Sequence, residues 1–277
     1  MSRQRLGQHF LADAGWREKI ARAIRVSPHS AAPAKPSSPY CWIEIGAGHG
    51  EMTEHLVASG VPVYAIELDA ALVSRLKSLE AKFPNLAIVP VDILQTDLSS
   101  LARERRIRIY GNLPYYITSP ILHHFFRFAP QIDEIHVVIQ MEVAFRLVAR
   151  PGTRDYGYLS VLTQYYSSPA IVLKLPPGAF RPPPKVGSAL VSMKLPGESA
   201  RLAIKDSEAF LDFVKACFSQ KRKTLVNNLR SLAEPETVRS ALSLVKRKPD
   251  ARAEQLSVVE LAALYEVLVL AHNGKAG

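Results

Sequence analysis

The sequence predicts an α/β fold: a Rossmann-like parallel sheet covered by helices, followed by a small all-α domain. Two observations carry this. Through the first two thirds of the chain, short apolar, β-branched runs alternate with helical patterns, as parallel βαβ units require. From about residue 200 the strand patterns stop and helical spacing takes over.

Taken in order, "CWIEI" (41–45) runs into a glycine loop and the helical "EMTEHLVAS", which ends at Gly60. "PVYAIEL" (62–68) precedes "AALVSRLKSLEAKF", and "LAIVPVDI" (86–93), "RIRIYGN" (106–112) and "IHVVIQM" (135–141) are further strands. Beyond residue 150, "YLSVLTQYY", "AIVLKL" and "ALVSMKL" read as strands joined by loops, an antiparallel addition at one sheet edge. Phe210, Phe213, Val214, Cys217 and Phe218 then follow helix spacing, and Ser257 with Glu260 forms a capping-box signature ahead of Leu261, Leu264, Tyr265 and Leu268. The expected domains are 1–198 and 199–277. "SPHSAAPAKPSSP" (27–39), rich in Pro, Ser and Ala, reads as a surface loop.

The chain has 277 residues, 48% of them hydrophobic, which suits a packed core and argues against wholesale disorder. No apolar run approaches the roughly 18 residues of a membrane span, and "MSRQRLGQHF" lacks the apolar stretch of a secretory signal. Cys41 and Cys217 are too few and too far apart for a metal site or a disulfide framework. A cytoplasmic protein is expected. The net charge of +10 suits a polyanionic partner, and its cations bunch in "RERRIRI", "QKRKTLVNNLR" and "KRKPDARAE". Lys221, Arg222 and Lys223, read as part of a basic helix, are candidates for contact with the phosphates of such a partner.

"IEIGAGHGEM" sets Gly46, Gly48 and Gly50 directly after a strand and before a helix, where glycine permits a tight turn and close approach of a ligand to the backbone. The spacing is neither a nicotinamide fingerprint nor a phosphate loop. Glu67 closes the second strand about 20 residues on, where such folds place a carboxylate on a ribose diol. Asp92 ends the third and can accept from an adenine amino group. An adenosine-containing cofactor is expected, and the absent phosphate loop favours S-adenosylmethionine over ATP.

"YGNLPYYITSP" (110–120) ends the fourth strand on that same edge. Pro114 fixes its own φ and keeps the residue before it out of the helical region, so Asn112 and Tyr115 sit on a rigid turn. The exocyclic amine of adenine is a poor nucleophile because its lone pair is delocalised into the ring. Acceptors on its N–H groups, from the Asn112 side chain and the Leu113 carbonyl, would favour a tetrahedral nitrogen. Tyr115 would stack on the extruded base.

"GQHFL" (7–11), "EIGAGHGEMTEHL", "IELD", "GNLPYYITSPIL", "FRPPPKVGSALV" and "FSQKRKTLVNNL" together resemble the motifs, in order, of the ribosomal RNA adenine N6,N6-dimethyltransferase family. The resemblance runs from about Gly7 to the final helix. It implies a class I S-adenosylmethionine-dependent methyltransferase fold, with cofactor contacts from His9, Leu11, Gly46, Gly48, Glu67, Asp92 and Asn112. It implies that Asn112, Leu113 and Tyr115 face the target amine, that Phe180 forms the second wall of an aromatic clamp, and that Lys185 positions its loop or meets a phosphate. Ala47, "VDIL", Gly187 and His9 depart from the commonest family pattern without removing a group needed for methyl transfer.

"NLPYYITSP" and "FRPPPKV" resemble the small-subunit branch of the family. That implies dimethylation of two adjacent adenosines in the 3′-terminal hairpin loop of 16S rRNA during small-subunit biogenesis, with S-adenosylhomocysteine as product. Two alternatives stand beside it: a large-subunit rRNA adenine methyltransferase of the macrolide-resistance type, and a non-catalytic RNA-binding assembly factor. No long apolar seam demands a dimer, so a monomer is expected.

Overall fold

The computed structural model describes residues 9–26 and 39–273. Gly7 and Gln8 of the first motif and nearly all of the Pro/Ser/Ala segment lie outside the described residues, as does the side chain of Tyr115. No helix among the described residues is long and apolar enough to cross a membrane.

The chain opens with β1 (Phe10–Leu11) and α1 (Ala14–Ala23), the latter capped by Asp13, whose carboxylate accepts from the Trp16 N–H. Then follow β2 (Tyr40–Ile45), α2 (Thr53–Val57), β3 (Val63–Ile66), α3 (Ala70–Glu80), β4 (Leu86–Val89), α4 (Leu98–Ala102) and β5 (Arg106–Asn112). Next come α5 (Thr118–Phe126), β6 (Ile132–Gln140), α6 (Met141–Val148) and α7 (Tyr158–Tyr166). The chain returns to the sheet as β7 (Ser168–Leu175) and β9 (Ser188–Lys194), and between them β8 (Phe180–Arg181) pairs with β1 in a separate two-stranded sheet. It ends in α8 (Ser199–Leu202), α9 (Ser207–Cys217), α10 (Leu225–Asn228), α11 (Pro235–Leu244) and α12 (Val258–Asn273).

The main sheet runs β4-β3-β2-β5-β6-β9-β7. The first five strands are mutually parallel, and β9 lies antiparallel on β6. This is the predicted α/β architecture with its antiparallel addition. Every residue of β2 is buried, because helices cover both faces of a central parallel strand. The carboxyl ends of β2, β3 and β5 meet at one edge, and the order reverses between β2 and β5, the usual ligand crevice of open α/β sheets.

The chain divides into two compact units, residues 1–144 with 169–195, and residues 145–168 with 196–277. Two expectations change here. "YLSVLTQYY" is not a strand but α7, despite its β-branched and aromatic content. Tertiary partners override that propensity: the Ser160 hydroxyl donates to the Arg146 carbonyl while accepting from the Gly157 N–H, and the Tyr165 ring packs at a tilt against Phe210 with its hydroxyl against Ser207. Residues 145–168, placed by sequence in the larger domain, therefore belong to the helical unit, and the sheet is completed by the strands that follow.

The helical unit otherwise keeps its predicted pattern. Phe210, Phe213, Val214 and Cys217 are buried. The capping box forms: the Ser257 N–H and hydroxyl donate to Glu260 at 2.9 Å, and Glu260 is also held by Arg247.

Candidate active site

Gly46, Gly48 and Gly50 all have positive φ, at 65°, 61° and 89°, so the loop after β2 is built from conformations costly for other residues. A Cβ on Gly48 would press on the Phe10 ring at 3.2 Å, and one on Gly46 would meet only the Asn112 carbonyl, at 3.9 Å. The loop thus runs between β1 on one side and the end of β5 on the other. Phe10 also packs its ring against His49 at 4.5 Å.

Glu67, 4% exposed, follows β3 and turns inward to this loop. One carboxylate oxygen accepts from the Gly48 N–H at 2.9 Å, the other from the N–H groups of Leu68 and Asp69. A carboxylate has about four acceptor positions, so three are committed to the backbone and one remains for a ligand. Asp92 does not end a strand as expected. It stands three residues beyond β4 and caps a short 3-10 turn, accepting from the Leu94 N–H at 2.9 Å.

Asn112 is the last residue of β5. Its Nδ2 donates to the His9 carbonyl at 2.8 Å. Leu113 is buried and donates its N–H to the Val138 carbonyl, which anchors the turn to β6. Tyr115 begins a 3-10 turn that runs to Ile117. His9 also bonds through Nδ1 to the Pro182 carbonyl at 2.7 Å, and β1 pairs with β8 so that Leu11 faces Phe180. The glycine loop, the Asn-Leu-Pro corner and the proline-rich loop are therefore tied by one short strand.

Phe180 is 2% exposed and packed with Leu11, Leu175, Ala179 and Leu190. The residue expected to form a clamp wall is thus buried in this structure. Lys185 is exposed on the loop before β9. The expected basic helix is absent: residues 219–224 form a loop between α9 and α10, because Thr224 caps α10 by accepting from the Asn227 N–H. Lys221, Arg222 and Lys223 are exposed on it, with the Lys221 ammonium donating to the Arg154 carbonyl at 2.6 Å.

Sequence reasoning missed three residues of the site. Phe10, Glu44 and Tyr110 line a cavity of about 30 Å³ together with Gly46, Gly48 and Asn112. Glu44 accepts a hydrogen bond from the Thr53 hydroxyl at 2.6 Å. Burial pushes its carboxyl up to about 8, with Glu51 and Glu67 adding to the effect. The Tyr110 phenol is pushed up as well, by burial and then by Glu44. Alternation along β2 and β5 was the available signal, as Glu44 and Tyr110 stand two residues before Gly46 and Asn112.

The family model for ribosomal RNA adenine dimethylase matches residues 1–269. The chain belongs to that family. A "Ribosomal RNA small subunit methyltransferase A" from Xanthomonas euvesicatoria pv. vesicatoria is 39% identical over 266 residues, covering 96% of each chain, and a protein of the same name from Xanthomonas campestris pv. campestris matches equally. Among solved structures, a dimethyladenosine transferase from Plasmodium falciparum superposes with TM-score 0.73 at 23% identity, covering 97% of this chain and 98% of that one. The 23S rRNA methyltransferase ErmE gives 0.67 at 24% identity, covering 94% and 99%. These likenesses support the fold of the rRNA adenine dimethylases, with its methyltransferase sheet and C-terminal helices.

Proposed function

We propose that this protein transfers methyl groups from S-adenosylmethionine to N6 of two adjacent adenosines in the 3′-terminal hairpin loop of 16S rRNA, during small-subunit assembly in the cytoplasm. The observation that carries the reading is the Asn112 corner. A carbonyl can only accept, so the atom facing His9 is Nδ2, and Oδ1 is the end left to accept from an incoming amine. Membership of the family supports the reaction. The name carried by the relatives at 39% identity supports the small-subunit target over the large-subunit one.

The residues suit the cofactor. Gly46 leaves open space, Glu67 retains an acceptor position, and the cavity beside Asn112 holds polar groups. Gly46, Gly48, Glu67, Asp92, His9 and Leu11 would hold it, and when bound it supplies an electrophilic methyl group on a sulfonium sulfur. The chain's own task is to hold the nucleophile. Asn112 Oδ1 and the Leu113 carbonyl accept from the adenine N–H groups, which localises the lone pair on nitrogen and aims it. Tyr115 stacks on the flipped base, and Phe180 supplies the opposite wall once its ring is uncovered. The proton lost from the alkylated nitrogen leaves to solvent, so no strong base is required in the corner.

Lys185, Lys221, Arg222 and Lys223 contact rRNA phosphates, and the protein acts as a monomer on the small subunit or its precursor. The test is to incubate the protein with labelled S-adenosylmethionine and unmethylated small subunits and then map the modified bases. Label on two neighbouring adenines of the terminal hairpin is expected. Label elsewhere, or none, refutes the reading.

A further inference from the structure

His124 and Thr96 are buried polar residues of the larger unit that stand outside the site described above. His124 lies in the last turn of α5, and its Nε2 bonds to the Thr96 carbonyl at 2.9 Å. A carbonyl can only accept, so Nε2 carries the proton. Burial holds the ring's pKa below its ordinary value, against the opposing pull of that bond, so the imidazole is neutral at pH 7 and has a single N–H. That one donor is engaged by Thr96. The Phe128 ring packs edge-on against His124 at 5.3 Å and steadies its orientation.

The chain of bonds continues in two directions. Thr96 closes the 3-10 turn headed by Asp92: its hydroxyl donates to the Asp92 carbonyl at 2.7 Å, and the Gln95 N–H donates there at 3.0 Å. At the other end of α5, the Thr118 hydroxyl donates to the Pro114 carbonyl at 3.2 Å. A single helix thus holds the Asp92 turn with its last turn and the Asn-Leu-Pro corner with its first. Asp92 is half-buried, and one carboxylate oxygen accepts from the Leu94 N–H, which leaves acceptor positions for a ligand. A histidine needed only for packing would be better replaced by leucine, which fills the space without burying a polar ring.

We propose that His124 is a positioning residue: acting through Thr96, it aims the Asp92 carboxylate at the 6-amino group of the cofactor's adenine. This rests on the cofactor reading above and names what fixes one of its residues. Asp92 lies three residues past the end of β4, so the sheet itself does not hold it. A polar group that must select one donor has to be kept within about 0.5 Å of its productive place, by neighbours that are themselves locked. His124 supplies that lock from a rigid helix. Because α5 also holds Pro114, the adenine end of the cofactor and the corner that receives the target amine keep a fixed separation.

The test measures Kd by calorimetry for the full chain with S-adenosylhomocysteine and with its analogue carrying purine in place of adenine, which lacks the 6-amino group. Wild type should favour S-adenosylhomocysteine by about 10- to 100-fold, the scale of one hydrogen bond to a charged group. His124→Leu should cut that ratio at least about fivefold while leaving Kd for the purine analogue within about twofold of wild type. His124→Gln, whose amide N–H takes the place of the Nε2 donor, should restore the ratio. Thr96→Val removes the second link at nearly constant volume and should cut the ratio as well. A histidine with only a structural role would lower both affinities together, or Tm alone. An unchanged ratio in His124→Leu and Thr96→Val, or an equal loss for both ligands, overturns the proposal alone. A wild type that binds the two ligands equally removes Asp92 from the adenine, and the proposal with it. Failure of the wild type to bind S-adenosylhomocysteine overturns the cofactor reading itself.

Discussion

The side chain of Asn112 donates through Nδ2 to the backbone carbonyl of His9 at 2.8 Å, a bond between residues 103 positions apart. It leaves Oδ1 as the end of the amide available to accept. Asn112→Ala removes both the acceptor and this tether. Methylation of unmethylated small subunits should fall at least about 100-fold, the scale for losing one preorganised polar group at a reacting centre. RNA affinity measured by filter binding should change little, since the residues proposed for phosphate contact lie elsewhere in the sequence. Normal methylation by this variant would remove Asn112 from the reaction.

The glycine loop makes a second prediction through strain. Gly48 has φ 61°, and its missing Cβ is what lets Phe10 approach. Gly48→Ala should cost about 1–2 kcal/mol from the left-handed backbone, together with displacement of Phe10. Urea unfolding reads the first effect. Weaker binding of S-adenosylhomocysteine reads the second, because β1 shifts with Phe10.

Much of this site was legible before coordinates, because strand–helix alternation fixes which sheet edge the loops share. Gly46, Glu67 and Asn112 fell on that edge for that reason alone. What local patterns could not supply is lateral register: nothing in the string sets Glu44 beside Tyr110, or His9 against Asn112. Residues 158–166 misled because their β-branched composition says strand, whereas Tyr165 and Ser160 find helical partners distant in sequence. The 219–224 segment misled in another way, since its charges read as a helix face although Thr224 begins a new helix after them.

Glu44 also sets a pH signature on stability. Its folded value of about 8 lies above the ordinary 4.5, so the native state holds a proton that the unfolded chain has released. Stability from this group is complete below about pH 4.5 and declines as pH rises toward 8. Glu44→Gln should flatten that decline in urea melts taken across the window. Glu134 works in the opposite sense: its bond to His136 holds it down to about 2, so its contribution is lost on the acid side, between 4.5 and 2.

The loop between α9 and α10 should separate into two kinds of cation. Arg222 and Lys223 are exposed, and their replacement by alanine should reduce the slope of log affinity against log salt, by somewhat under one unit per lost phosphate contact. The Lys221 ammonium is engaged with the Arg154 carbonyl, so Lys221→Ala should loosen residues 150–155 as well. Hydrogen exchange of that segment, set beside the salt slope, distinguishes the two effects. An unchanged slope in Arg222→Ala/Lys223→Ala excludes the loop from phosphate contact.

Phe180 poses the sharpest question about the base pocket, because a ring 2% exposed cannot stack on adenine without first being uncovered. Truncation to alanine would confound two effects, since deleting a buried phenylalanine costs about 3–5 kcal/mol in folding alone. Phe180→Leu keeps most of the volume and should cost under about 1.5 kcal/mol, leaving a folded protein that has lost only the aromatic face. If Phe180 becomes the second wall of the clamp, Phe180→Leu should bind S-adenosylhomocysteine normally yet methylate at least about tenfold more slowly, the scale of one base–aromatic stack. Activity equal to wild type would mean that Phe180 serves only to hold Leu11, and with it His9, against the glycine loop.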